Sequence, residues 1–206
     1  MAYLTEQEEF WAGTFGADYA RRNRDEATVA SYTAMWSRIL SRTERIETVL
    51  ELGCNIGLNL RALAWLLPGV QLHAVEINSD AAKEARTTGA DVVEGSILEF
   101  QPSRTWDLVL VAGVLIHVDP GRLGQVYDLL HTASSRYVCL AEYYNPKAVE
   151  VPYRGHRKRL FKRDFAGELL DRHDDLSLVD YGFVYHRDPV FPQDDTTWFL
   201  LEKRSR

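Results

Sequence analysis

Along this chain, short apolar runs alternate with longer stretches whose apolar residues recur at helical spacing. The runs Thr48–Leu52, Leu72–Glu76, Asp91–Glu94, Trp106–Ala112 and Tyr137–Glu142 read as strands. Trp106–Ala112 is almost unbroken in its apolar character, as strands buried on both faces of a parallel sheet are. Between and before them, helices are predicted over Thr28–Arg42, Leu58–Leu67, Ser79–Thr87, Asp119–Ala133 and Leu160–Asp171. The first places Val29, Tyr32, Met35, Trp36, Ile39 and Leu40 on one face. Pro68-Gly69 ends the second, Ser79 or Asn78 caps the third, and Pro120 stands near the start of the fourth. Two late strands, Leu178–Tyr185 and Thr196–Glu202, are joined through Asp188–Asp195 and suggest a hairpin on one sheet edge. Strand–helix alternation predicts an α/β fold, a doubly wound and mostly parallel Rossmann-like sheet. Residues 1–45 would form a helical cap and residues 46–206 the core, within one domain.

Bulk composition narrows the partners. Of 206 residues, 46% are hydrophobic and 26% charged, an ordinary globular balance. A net charge of −6 argues against a broad nucleic-acid surface. No apolar run approaches the roughly 20 residues that span a bilayer. The acidic Met1–Glu9 is unlike a signal peptide, and the lone Cys54 and Cys139 read as reduced thiols in the cytoplasm. No metal site is expected, because no His, Cys or carboxylate pair has ligand-like spacing.

Chemistry concentrates at the strand ends. Val49–Gly57 reads V-L-E-L-G-C-N-I-G, and Glu76 closes the second strand. A tight turn that brings backbone to a ligand, followed by an acid on the next strand, suits a nucleoside cofactor. The pattern resembles motif I of class I S-adenosylmethionine (SAM) methyltransferases, E-x-G-x-G-x-G, with Asn55 at the middle glycine. Asn tolerates positive φ better than most residues. That resemblance implies roles at four strand ends. Glu51, Gly53, Asn55 and Gly57 would cradle the methionine part, and Glu76 with Ile77 would hold the ribose. Ser96 and Ile97 would border the adenine, and Ala112, Gly113 and Val114 would lie under the methionyl group. In the cap, Tyr19 and Arg22 would meet the cofactor, Arg22 through its planar fork on the carboxylate.

Acceptor residues are expected after the fifth strand, where Glu142, Tyr143, Tyr144 and Asn145 precede Pro146. Glu142 could orient or deprotonate a nucleophile. His186 and His117 are candidate bases, and Tyr185 and Asp188 flank the former. Arg154–Arg163 holds six cations in ten residues. It reads first as a solvated face and second as a grip on an anionic substrate, with Tyr153, His156 and Arg163 then lining the pocket. Trp11 and Phe15 read as packing, and Phe183 as core. Tyr143 and Lys147 also have the Y-x-x-x-K spacing of nicotinamide reductases, but Asn145-Pro146 between them opposes the helix those residues need. A SAM-binding protein without acceptor chemistry is a third reading, opposed by the polar aromatics after the fifth strand.

A narrower resemblance spans nearly the whole chain. T-E-Q-E-x-F-W at Thr5–Trp11, G-x-N-I-G-L-N-L at Gly53–Leu60 and G-V-L-I-H at Gly113–His117 carry its first part. A-E-Y-Y-N-P at Ala141–Pro146, Y-R-G-H at Tyr153–His156 and K-R-D-F-A-G-E at Lys162–Glu168 continue it. V-D-Y-G-F-V-Y-H-R-D at Val179–Asp188 and F-P-Q-D-D-x-T-W-F-L-L at Phe191–Leu201 close it. The chain resembles the methyltransferases named for association with pseudaminic acid biosynthesis. That resemblance implies SAM as cofactor, a small-molecule acceptor, and Glu142, Tyr143, Tyr144 and His186 at the reacting end.

Overall fold

A computed structural model of the chain describes residues 3–22 and 26–204, with the side chains of residues 21 and 22 outside the description. Its strands run β1 Thr48–Leu52, β2 Gln71–Glu76, β3 Asp91–Glu94, β4 Trp106–Ala112 and β5 Ser134–Glu142. A short ribbon of β6 Val149–Glu150 and β7 Phe161–Lys162 follows, then β8 Leu176–Val184 and β9 Thr196–Lys203. Among the described residues, the main sheet has the order β3-β2-β1-β4-β5-β9-β8. β1 to β5 pair in parallel, and β9 runs antiparallel to both β5 and β8. β1 pairs β2 on one side and β4 on the other, so the strand order reverses between β1 and β4. That reversal opens a crevice at the carboxyl ends of these two strands.

Helices α1 Glu6–Ala12, α2 Thr14–Arg22 and α3 Glu26–Leu40 precede the sheet. α4 Leu58–Leu66 and α5 Ser79–Ala85 link the first strands, and α6 Leu123–Ala133 and α7 Phe165–Arg172 follow β4 and β7. The sheet buries one apolar layer on each face. Trp36, Ile39, Leu60, Leu63, Leu108 and Leu110 belong to one, and Val109, Val111, Leu130, Val138 and Leu169 to the other. Alternating residues of β4 therefore serve opposite layers, which is why its sequence is apolar throughout.

The expected hairpin is present, and its inner strand β9 is inserted beside β5. Two expectations are corrected. The helix read over Leu160–Asp171 begins only at Phe165, because Asp164 accepts a hydrogen bond from the Gly167 amide at 2.8 Å and acts as its N-cap. The residues before it are held extended by pairing with Val149–Glu150. Phe183 is not core: it is 53% exposed, beside Tyr181 at 63%. β8 turns Gly182 toward the buried Trp198, whose Cζ2 lies 2.5 Å from where a Cβ on Gly182 would be. Residues 181 and 183 therefore face the other side of this edge strand.

The cap is fastened to the strand ends by single side chains. Thr5 and Glu8 form a capping box on α1. The Asn78 amide donates toward the carbonyls of Trp11, Ala12 and Gly13 at 3.2–3.3 Å, while its oxygen accepts from the Ala81 amide and caps α5. Gln193, between β8 and β9, donates to the Ser31 carbonyl of α3 at 2.8 Å.

Candidate active site

Beneath the cap, at the carboxyl ends of β1, β2, β3 and β4, lies a cavity of about 470 Å³. Its volume falls in the usual range for small-molecule sites. The turn after β1 makes its floor. Gly53 and Gly57 adopt φ +77° and +81°, and Asn55 adopts φ 47° between them. The left-handed geometry anticipated for Asn55 is thus observed. A Cβ at Gly53 would fall 2.6 Å from Val114 Cγ2, so glycine is required where this turn crosses the loop after β4. Gly57 does not line the cavity; it opens α4 and leaves room for Ala85, which ends α5, and for Thr88 in the turn after it.

Two buried acids stand over that floor. Glu76 accepts from the Asn55 amide at 2.7 Å through one oxygen and from the Asn78 amide at 2.8 Å through the other. A carboxylate offers about four lone-pair positions, and the Ile77 amide also turns to it, so capacity remains for a ligand. Burial raises its pKa, against these backbone hydrogen bonds. Glu51 is 1% exposed and accepts from Asn59 Nδ2 at 2.7 Å, and Asn59 accepts in turn from Trp36 Nε1 at 2.8 Å. Among the described residues its second oxygen has no partner, nor has Asn55 Oδ1. Burial, with a smaller contribution from Glu76, pushes Glu51 up to about 8. A buried, unpartnered carboxyl oxygen facing a cavity fits a cationic ligand group.

The other walls follow from the loops. Ile77, Ser96, Ile97, Ala112, Gly113 and Val114 all line the cavity, as expected. Ser96 hydrogen-bonds Glu8 of the cap and accepts from the Leu98 amide. Tyr19 lines it from α2, whereas the Arg22 side chain lies outside the described residues. His117 lines it with Nδ1 2.5 Å from the Arg159 carbonyl oxygen. A carbonyl only accepts, so Nδ1 carries the proton. Burial lowers this histidine to about 4, which keeps it neutral and leaves Nε2 as an acceptor. Tyr143, Tyr153 and His186 also reach the cavity. Burial first, then Asp194, pushes the Tyr143 phenol above its ordinary range. His186 Nδ1 is paired with Asp195 at 2.8 Å.

Several expected residues lie elsewhere. Glu142 is buried, but its carboxylate turns back to the amides of Val114 and Leu115 at 3.0 Å and of Ile116 at 3.4 Å. Burial pushes it up to about 7 although these amides favour the anion. It fastens the loop after β4 and does not line the cavity. Tyr144 is exposed, bridged to Arg163 through the backbone and packed on Phe199. Asn145 donates to the Lys147 carbonyl within an exposed turn, which also removes the helix that the Tyr143–Lys147 spacing required. Arg163 is paired with Glu168 at 2.7 Å. His156 belongs to a tight turn, its amide and carbonyl bonded to Tyr153, and its ring meets Phe10 and Phe15. Tyr185 is exposed against the His186 ring, and Asp188 accepts from the Val190 and Phe191 amides of its own turn.

Sequence reasoning passed over other wall residues. Trp11, read as packing, lines the cavity with a buried Nε1 that has no partner among the described residues. Tyr32, Asn78 and Asp194 line it as well, and the F-P-Q-D-D segment was the available signal for Asp194. At the opposite, amino-terminal end of the sheet, His131, His173 and Asp175 bring ligand-type atoms within 4.8 Å of one another. More than forty residues separate the first from the others, so spacing could not reveal this group.

The same architecture recurs in solved structures. Magnesium protoporphyrin IX methyltransferase from Synechocystis, with bound SAM, aligns over 100% of both chains at 17% identity and a TM-score of 0.67. A SAM-dependent methyltransferase from Clostridium acetobutylicum aligns over 93% of this chain and 98% of its own, at 12% identity and 0.66. The complex of DhpI with S-adenosylhomocysteine aligns over 88% and 97%, at 20% identity and 0.57. The fold is the class I methyltransferase fold. Residues 49–134, which hold the cavity floor and the loop after β4, match a family model described as methyltransferase domain. A search of curated proteins gives no match. Fold, domain match and cavity together support a SAM-dependent methyltransferase enzyme.

Proposed function

We propose that this chain transfers the methyl group of SAM to a small polar metabolite, sugar-derived or amino-acid-like, at oxygen or nitrogen. Glu76 takes the ribose hydroxyls with its remaining lone pairs. Ser96 and Ile97 border the adenine. Gly53, Asn55 and Ala112–Val114 hold the methionine part, and the free oxygen of Glu51 receives its ammonium. Tyr19 borders the carboxylate. When bound, SAM supplies a methyl group on a sulfonium, open to in-line displacement, so the chain contributes chiefly positioning. His117, through Nε2, and Tyr143 are placed to accept or orient the acceptor's proton. Tyr153 and His186 frame the acceptor, and the cap of α1, α2 and α3 excludes water. The matching motifs favour the pseudaminic-acid-associated methyltransferases as the narrower family.

The observation that carries this reading is the Glu51 oxygen, unpartnered among the described residues, with Glu76 near it at the carboxyl ends of β1 and β2. Calorimetry with S-adenosylhomocysteine tests it. One site per chain, unchanged by EDTA, is the expected result. Equal or tighter binding of NADH overturns it in favour of a reductase.

A further inference from the structure

The cavity wall divides into two chemistries once Glu51, Glu76 and Ser96 are assigned to SAM. On the side of β5 and the turn after β4, rings form a continuous surface. Trp11 lies 4.5 Å from His117 and 5.4 Å from Tyr19 between centroids, and His117 lies 5.1 Å from Tyr153. Asp194 faces the same space from the loop before β9, beside Tyr143.

The ionisable side chains around the whole cavity are one-sided. Glu8, Glu51, Glu76, Asp119 and Asp194 all line the cavity, and among the described residues no Lys or Arg does. The nearby cations have partners of their own. Arg157 pairs with Glu150, Arg159 with Glu6 and Arg163 with Glu168. Arg154 lies over the Tyr153 ring at 5.8 Å and Lys162 over the Tyr143 ring at 5.1 Å. Glu8 is engaged by Ser96, and Asp119 accepts from the Gly121 amide. Asp194 forms no ion pair among the described residues; it accepts a hydrogen bond from the Tyr143 phenol, and its remaining lone pairs are left to meet the acceptor. An anionic acceptor is repelled by such a wall. An ammonium gains from a carboxylate and from aromatic faces together.

We propose that the methyl acceptor is an amine, docked through its ammonium form against Asp194 and the surface of Trp11, His117 and Tyr153. The inference rests on the SAM reading above. The ammonium, held by Asp194, first gives its proton to His117 Nε2 and from there to water. The nitrogen lone pair then forms the N–C bond as the methyl–sulfur bond breaks, with that electron pair remaining on sulfur in S-adenosylhomocysteine.

The test compares two probes of one shape and opposite charge, phenethylammonium and phenylacetate. Both are titrated at neutral pH into the full chain saturated with S-adenosylhomocysteine and followed by NMR. Phenethylammonium should bind at least about tenfold more tightly, and Asp194→Asn should reduce that preference to less than about threefold, with S-adenosylhomocysteine binding retained. Phenylacetate binding equally or better, neither probe binding, or a preference indifferent to Asp194→Asn overturns the amine acceptor. Failure of S-adenosylhomocysteine to bind in the first titration overturns the SAM reading instead.

Discussion

Glu142→Ala gives the most direct test of what the end of β5 does. The carboxylate accepts from the amides of Val114 and Leu115 through one oxygen and from Ile116 through the other, the last at a long 3.4 Å. Alanine strands three donors in a region where Glu142 and Leu115 are buried. A buried donor left unpaired costs about 1–3 kcal/mol, and with one weak bond among the three the sum is roughly 2–5 kcal/mol. For a chain of this size that is a fall in Tm of roughly 5–15 °C. Val114 packs under Gly53, so loosening this loop should also weaken S-adenosylhomocysteine binding, by more than about tenfold. Glu142→Gln is the informative partner. It keeps the oxygen that serves Val114 and Leu115 and loses only the contact to Ile116, so its cost should be about 1 kcal/mol. Differential scanning fluorimetry and calorimetry read both variants. A Glu142→Ala protein with unchanged Tm and unchanged S-adenosylhomocysteine affinity, but kcat reduced tenfold or more, would refute this reasoning and return Glu142 to the acceptor.

Glu76→Gln should weaken S-adenosylhomocysteine binding by roughly 1–3 kcal/mol in calorimetry, since it alters an acceptor for both ligand and floor; unchanged affinity removes Glu76 from the ribose. Glu51, held near 8 without ligand, should lose its proton when an ammonium arrives, so binding at neutral pH should release a proton and tighten as pH rises toward about 8. Titrations in buffers of different ionisation enthalpy measure that release, and Glu51→Gln should abolish most of it. In the ligand-free protein the raised pKa has the opposite sign for stability: its contribution is full below the ordinary carboxyl range and is lost as pH climbs through about 8. Tm should therefore fall less steeply over that window in Glu51→Gln than in the parent. Gly53→Ala should cost at least about tenfold in S-adenosylhomocysteine affinity, because its Cβ meets Val114 Cγ2 at 2.6 Å.

The sheet was legible because its strands are buried on both faces. Trp106–Ala112 cannot be read as anything half-exposed, and its bounds agree with β4. The cofactor wall was legible for a related reason, since strand ends in such a sheet converge whatever the loops do. The acceptor wall was less so. A carboxylate at a strand end has the same local pattern whether it turns to solvent, ligand or a neighbouring amide, and Glu142 took the amides. Alternation in Tyr181-Gly182-Phe183 defines two faces without saying which is covered, and Trp198 decided that from a different strand. Trp11 has the spacing of any packed aromatic, and only its unpartnered nitrogen distinguishes it. The ribbon of β6 and β7 depends on a pairing eleven or more residues apart that no local signal announces.

Asn78 joins the cap to the sheet through a single amide, and this sets what the position can tolerate. Its nitrogen serves the carbonyls that end α1, and its oxygen starts α5. Asp and Ser, which also cap helix starts well, supply the oxygen and lose the donor; Lys would supply a donor and lose the acceptor. Gln carries both groups one methylene too far out for the N-cap. Two functions that most proteins distribute over separate residues are fused here in one side chain. In a saturation library selected for cofactor binding, position 78 should behave as strictly as the glycines of the turn beneath it, although nothing about its backbone demands a special residue.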